Sequence, residues 1–150
     1  MDLLPVGAPA PMFKGQNLTG PEFQMENVKG KKPVVIIFPP DQINPTQTNQ
    51  TKSVYDKNRN DVEFVVMTRK LPSVAMAKAF LAQFNVKFPV LYDPKQEIYK
   101  LYGVEQPAVI YAINMGGMIA AVLQFDPKAM NTAQIEDAIG KAKSDGQVAG

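Results

Sequence analysis

Apolar positions fall along this chain in blocks whose period changes from one block to the next. Val34–Phe38 (VVIIF) is apolar at every position, the pattern of a central strand buried on both faces. Pro39–Pro40 stop it, because neither ring has an N–H to give to a ladder. Val62–Thr68 (VEFVVMT) reads as a second buried strand and Phe88–Tyr92 as a short third. Ala108–Asn114 (AVIYAIN) and Met118–Phe125 (MIAAVLQF) are two more, and Met115-Gly116-Gly117 between them is a hairpin signal.

Helical spacing fills the gaps. Asn44-Pro45-Thr46-Gln47 is a helix start: Asn is a preferred cap, Pro suits the first helical position, and Gln three residues after the cap completes a capping box. The helix continues to about Asn58 but is polar, with Val54 and Tyr55 as its few core anchors, and its weak helix formers predict a mobile first turn. Ser73 caps a second helix with Val74, Ala77, Phe80, Leu81 and Phe84 on one face. Asp93–Pro94 starts a short helix through Tyr102, with Gly103 as its C-terminal cap. Asn131 or Thr132 caps the last helix, Ile135, Ala138, Ile139 and Ala142 form its apolar face, Gly146 ends it, and Gln147–Gly150 is expected to fray.

Residues 1–33 carry nine Pro and Gly between Pro5 and Pro33 and predict an extended arm without a helix, with a short hairpin around Asn17–Gly20. The order is then arm, β, α, β, α, β, α, β, β, α. That alternation predicts an α/β fold, a mixed sheet of about five strands covered by helices on both faces. At 150 residues the chain reads as one domain, residues 34–150, with the arm of 1–33 packed on it.

Composition narrows the chemistry. The formal charge of +2 and the scattered lysines give no nucleic-acid stripe. No apolar run reaches the ~18–20 residues of a bilayer span. The first residues, MDLLPVGAPAP, lack the regions of a signal peptide, so the expectation is a cytoplasmic chain. There is no Cys, which excludes disulfides, thiolate nucleophiles and iron–sulfur ligation. There is no His, the commonest general base near neutral pH and the commonest zinc ligand. No metal and no cofactor is expected.

Several short motifs occur in a telling order. Gly7-Ala8-Pro9-Ala10-Pro11-Met12-Phe13 is similar to an opening G-x-x-A-P-x-F, and Lys29-Gly30-Lys31 to a KGK lead into a central strand. Phe88-Pro89-Val90-Leu91-Tyr92-Asp93 matches F-P-x-L-x-D, and Tyr102-Gly103-Val104 matches Y-G-V. Asn114 to Gly117 stands where D-x-x-G is found. In this set the chain resembles the thioredoxin superfamily, most closely its peroxiredoxin and redoxin (AhpC/TSA-like) branch, over nearly its whole length. The resemblance implies a thioredoxin-like fold and an active-site loop P-x-x-x-T-x-x-C. Here Pro40 takes the proline place, Asn44 the threonine place, Gln47 the place of the peroxidatic cysteine, and Thr48 the following threonine of a P-G-C-T version. Set instead against thioredoxin's C-G-P-C, the loop reads Ile43-Asn44-Pro45-Thr46. Pro107, after Gln106, matches the family's cis-proline with one residue inserted, and no Arg stands where the family has its catalytic one.

The family's chemistry needs a thiolate at a helix N-terminus, where the dipole lowers its pKa. Gln47 has no ionisable or nucleophilic atom, so no catalytic residue is assigned. For Asn44 and Gln47 the capping box is the preferred reading, worth about 1 kcal/mol, and an anion or peptide-carbonyl site the alternative. Arg69 and Lys70 follow a strand that ends at the same sheet edge, where α/β folds bind ligands; a solvated turn is the plainer reading. Asp41 and Asp93 suit turns or caps better than an acid–base pair. Met67, Met76, Met115 and Met118 read mostly as core filler, and Tyr92, Tyr99 and Tyr102 as residues at the core edge. The function expected is a cysteine-free, redox-inactive module. It would hold an extended segment of a protein partner in a groove of Ile43, Asn44, Pro45, Thr46, Gln47, Arg69, Lys70, Gln106 and Pro107. The alternatives are a redoxin-type antioxidant enzyme, an enzyme using Asp41, Asp93, Lys70 and Arg69 around an anion, and a structural subunit whose oligomer interface is the function.

Overall fold

The structure is a computed structural model, described for residues 3–41, 45–124, 126 and 131–148, with side chains up to residue 143. Along the chain come β1 (Lys14–Asn17), β2 (Phe23–Gln24), β3 (Val34–Phe38), α1 (Pro45–Asn58), β4 (Glu63–Thr68), α2 (Val74–Gln83), β5 (Val90–Tyr92), α3 (Glu97–Leu101), β6 (Val109–Ile113), β7 (Ile119–Gln124) and α4 (Thr132–Val148). Among the described residues these strands form one sheet in the order β2-β1-β5-β4-β3-β6-β7. β3, β4 and β5 run parallel to one another, β6 lies antiparallel beside β3, and β7 pairs antiparallel with β6. The fold is thioredoxin-like, as the element order implied.

Seven strands stand where about five were expected, and both additions come from the arm. β1 (KGQN) has no apolar period to announce it; it is a strand because its backbone pairs with β5, Gln16 against Tyr92 and Asn17 against Leu91. The turn after it is held by Asn17, whose Oδ1 accepts from the Thr19 N–H at 3.0 Å and the Val90 N–H at 3.2 Å. The same arm carries a short 3-10 turn, Met25–Asn27, where no helix was expected; Met25 is fully buried and draws the turn inward.

Side chains alternate across each strand, so β3 sends Val35 and Ile37 to one face and Val34, Ile36 and Phe38 to the other. The first face is covered by α1, α2 and α4 through Val54, Ala77, Leu81, Ile135, Ala138 and Ala142. The second is covered by α3 and by the arm, through Ala10, Phe23, Met25, Ile98, Tyr99 and Tyr102. The arm also reaches the far edge. Gly7 N–H donates to the Ile119 carbonyl at 2.8 Å, Ile119 N–H to Ala8 at 2.8 Å, and Ala10 N–H to Gly117 at 2.9 Å. The leading end of β7 is thereby covered, which blunts an otherwise open edge.

Helix ends follow the expected chemistry. The Ser73 hydroxyl accepts from the Met76 N–H at 3.2 Å. Asn131 Oδ1 accepts from Ala133 N–H while its own N–H donates to Gln134 Oε1, a reciprocal capping box. Gly103, at φ +68°, ends α3, with its N–H on the Lys100 carbonyl and the Val104 N–H on Tyr99, the Schellman pattern. The cap expected at Asn44 and the strand end at Phe125 lie outside the described residues. α4 runs through Gly146 to Val148, so that glycine does not terminate it.

Two groups of side chains depart from expectation. Tyr99 and Tyr102 are fully buried rather than at the core edge, while Tyr92 is half-buried. They sit in an aromatic cluster around Phe38, whose ring centroid lies 4.9 Å from Tyr99 and 6.1 Å from both Tyr102 and Tyr111. The hydroxyls of Tyr102 and of its neighbour Tyr111 are satisfied inside, which is what makes their burial tolerable. Tyr102 donates to the Pro11 carbonyl at 2.7 Å, and Tyr111 donates to the Tyr102 carbonyl while accepting from the Leu4 N–H at 2.9 Å. Burial pushes the phenols of Tyr99, Tyr102 and Tyr111 up from their ordinary pKa, so they stay neutral. Of the four methionines read as core filler, Met67 is core; Met76, Met115 and Met118 are exposed, on the outer face of α2 and around the β6–β7 turn.

Candidate functional site

The carboxyl ends of β3, β4 and β5 lie side by side, and each carries a charged residue in the loop that follows. β3 leads through Pro39–Pro40 to Asp41, β4 to Arg69 and Lys70, and β5 to Asp93. Because β6 runs the opposite way, its entry loop, Gly103–Ala108, comes to the same edge: Phe38 pairs with Val109. Four loops therefore meet where open α/β sheets present their ligand sites.

Arg69 joins them. Its side chain is only 9% exposed, and its Nε and Nη2 donate to the two carboxylate oxygens of Asp41 at 2.9 and 3.1 Å, a bidentate pair. Nη1 donates to Gln96 Oε1 at 3.1 Å and to the Glu105 carbonyl at 3.2 Å. The guanidinium carbon lies over the Tyr99 ring, 4.9 Å from its centroid, within cation–π reach. One cation thus ties the loop after β3, the start of α3 and the loop before β6 to the end of β4. The guanidinium hydrogen bond holds the Asp41 carboxyl below the usual range, helped by Lys70, whose Nζ is 3.6 Å from Oδ2.

Asp93 is spent differently. It is 7% exposed, and its two oxygens accept from the Glu97, Ile98 and Tyr99 N–H groups at 3.0, 2.9 and 3.1 Å. It is the N-terminal cap of α3, satisfying donors that the helix itself cannot. Asp41 and Asp93 therefore do not form an acid–base pair; each is committed to a structural partner.

The residues expected to line the groove are not brought together as one open surface. Pro45, Thr46, Lys70 and Gln106 are exposed, Gln47 and Arg69 are half-buried, and Ile43 and Asn44 lie outside the described residues. Pro107 is buried, drawn in with Ala108 and Val109 at the start of β6, so it cannot be a wall that a partner touches. The cis peptide in this loop is Pro107–Ala108, not the bond before Pro107. Gln47 lies in the first turn of α1, as expected, with Thr48 beside it.

Gln96 and the Glu105 carbonyl were not foreseen as partners of Arg69; Gln96 earns its place from a left-handed backbone, φ +59°, that its residue type does not announce. The Asp41–Arg69 pair carried a usable signal: the two residues follow adjacent strand ends in a βαβ unit. Among the described residues no cluster of acidic side chains is placed to hold a metal ion, and no helix is long and apolar enough to cross a membrane.

A model of the AhpC/TSA family matches residues 6–130. The thiol-disulfide oxidoreductase ResA of Bacillus thuringiensis subsp. konkukian is 28% identical over 117 residues, 76% of this chain and 66% of that protein. The chain thus spans just under two thirds of the length of that curated relative. Among solved structures, the mitochondrial 2-cys peroxiredoxin from Plasmodium falciparum superposes with a TM-score of 0.76 at 20% identity, over 90% of this chain and 92% of that one. A secreted disulfide oxidoreductase from Mycobacterium tuberculosis, homologous to DsbE, gives 0.70 at 21%, over 85% and 94%. At such identities these two structures speak for the fold alone.

Proposed function

We propose that this chain, which belongs to the AhpC/TSA family, uses the family's active-site edge to bind an extended segment of a partner protein, with no thiol chemistry of its own. The supporting observation is a frame without a reactive centre. Arg69 ties three loops into one rim, while the residue in the first turn of α1 at the peroxidatic position is Gln47, in a chain with no cysteine. A rim preorganised in this way lowers the entropic cost of binding, and it contains no thiol to react with a peroxide or a disulfide. The exposed residues Pro45, Thr46, Lys70 and Gln106, the accessible part of the groove first expected, are the points of contact we propose. Without a disulfide to form, the chain gains nothing from an oxidising compartment, and the cytoplasm is the setting we propose. The role suits an assembly or regulatory subunit.

Two measurements test this. Peptides selected on the immobilised protein are expected to shift the amide signals of Thr46, Gln47, Lys70 and Gln106, and Lys70→Glu is expected to weaken them severalfold. Selected peptides that shift only residues elsewhere would sink the groove. In a coupled peroxide assay with dithiothreitol, turnover is expected to stay at the reagent blank; turnover above it would overturn the redox-inactive reading.

A further inference from the structure

Lysines scattered along the sequence are gathered by the fold at one end of the sheet. β3 and β4 begin there and β6 finishes there, since Val34 pairs with both Glu63 and Ile113. Lys29, Lys31 and Lys32 precede β3, and Lys57 and Arg59 stand at the close of α1. Lys32 Nζ donates to the Arg59 carbonyl at 3.4 Å, and Lys143 of α4 comes within 3.7 Å of Asp61. Among the described residues the carboxylates at this end are Glu26, Asp56, Asp61 and Glu63, and lysines already face the last two. Cations remain in excess, in a chain whose formal charge is +2 overall. The β6–β7 turn projects beside them. The Lys29 stem lies on it, so close that a Cβ on Gly117 would overlap its Cε. Met115 and Met118 stand in that turn 44% and 36% exposed, with the Met118 N–H donating to Asn114 Oδ1 at 3.0 Å.

Clustered apolar side chains rimmed by charge mark an interaction surface, and its two components select the partner. A nucleic acid would neutralise the cations and leave both methionines in water. A bilayer takes up both. Its anionic headgroups meet the cations, while the soft, flexible thioethers enter the boundary between headgroups and acyl chains. A cluster of about four to eight Lys and Arg is what anionic lipid attracts, each favouring binding about fivefold. We propose that this end of the sheet docks on an anionic lipid bilayer, with Met115 and Met118 entering the headgroup layer and Lys31, Lys57 and Arg59 lying on its surface. No helix among the described residues is long and apolar enough to cross a membrane, so this face rests on the bilayer. The opposite ends of β3 and β4, with Lys70 and the loop of Gln106, then face away from the lipid.

Because the chain has no cysteine, one introduced at a chosen position takes an environment-sensitive dye alone. The test labels Met115→Cys on the proposed face and Lys95→Cys, exposed between β5 and α3, at the far end. Each is titrated with vesicles of phosphatidylcholine alone or with about one third phosphatidylserine. The dye at position 115 is expected to shift to the blue with the serine-containing vesicles only, and the dye at position 95 to stay unmoved. Cosedimentation of the unlabelled protein with those vesicles is expected to weaken about fivefold in Lys31→Gln and about fivefold again when Arg59→Gln is added. Raising the salt to roughly 0.5 M is expected to weaken it about tenfold or more. Three results would overturn the proposal: no cosedimentation with the anionic vesicles, neutral vesicles binding as well, or a dye shift at position 95 in place of 115. Duplex DNA binding more tightly than the anionic vesicles also overturns it and assigns the face to nucleic acid. None of these changes touches Lys70 or Gln106, so failure here leaves the peptide-binding surface standing.

Discussion

Replacing Tyr111 by alanine is expected to cost about 4 kcal/mol, the upper part of the range for deleting a buried aromatic side chain. That is a large share of the ~5–15 kcal/mol by which most domains are stable. Tyr111 is fully buried in β6, with its ring 5.1 Å from Tyr102 and 6.1 Å from Phe38, so its loss opens a cavity in the middle of the aromatic cluster. Its hydroxyl also closes a relay, accepting from Leu4 N–H and donating to the Tyr102 carbonyl. Tyr111→Phe separates the two contributions. It keeps the ring and is expected to cost about 1 kcal/mol, the net worth of the hydrogen bonds. The Leu4 amide should then exchange faster while β3 and β6 amides are unchanged. Urea denaturation of both variants with amide exchange of the second checks this. A Tyr111→Ala cost under about 1 kcal/mol would mean that the cluster is not the packed core the geometry indicates.

Replacing Arg69 by methionine is expected to cost about 1–2 kcal/mol, because it takes the guanidinium donor from the Asp41 carboxylate, Gln96 and the Glu105 carbonyl in a half-buried spot where Lys70 still faces Asp41. Adding Asp41→Asn is expected to recover part of that loss, a coupling of about 1–2 kcal/mol between residues in direct contact. The pH dependence has a definite sign. The folded-state pKa of Asp41 lies below its ordinary value of about 3.9, chiefly because of the Arg69 hydrogen bond. The pair's contribution is therefore whole above that ordinary value and is lost as pH falls through the lowered one. The stability gap between wild type and Arg69→Met should be widest at neutral pH and should narrow in strong acid. A gap that widens as the carboxylate protonates would contradict the assignment. Amide shifts of Gln96 and Glu105 should move in the variant at every pH, since their contacts do not titrate with Asp41.

What could be read from the chain beforehand follows from where the information lies. β3, β4 and β6 were legible because a central strand buried on both faces must be apolar throughout, and VVIIF has no other reading. α2 was legible from Ser73 and the spacing of Ala77 and Leu81, and the end of α3 from Gly103. β1 and β2 form the hairpin expected around Asn17–Gly20, but the joining of β1 to the main sheet was not legible, because it runs through the backbone of β5, and pairing of that kind leaves no mark on side-chain pattern. Tyr102 misled because a hydroxyl suggests a wet edge, while its acceptor, the Pro11 carbonyl, is a backbone atom brought in by the fold. At the site, Asp93 as a cap was foreseeable from residue type, but the convergence of Gln96 and Glu105 on Arg69 depends on three loops whose shapes have no local code. The burial of Pro107 is of the same kind: the motif placed it at the right edge, but the depth was set by β6.

The segment before β3 straddles the whole sheet, pairing at one margin with β5 and at the other with β7. Its bond from Leu4 to Tyr111 joins residues 107 apart in sequence. Such a strap can fasten only onto a finished surface, since contacts this distant bring no gain until the intervening chain is already arranged. This segment, although it precedes the strands it fastens in the chain, is thus expected to be the last to settle. Pulse-labelled amides at Gly7, Ala10 and Leu18 should become protected after those of β3 and β6.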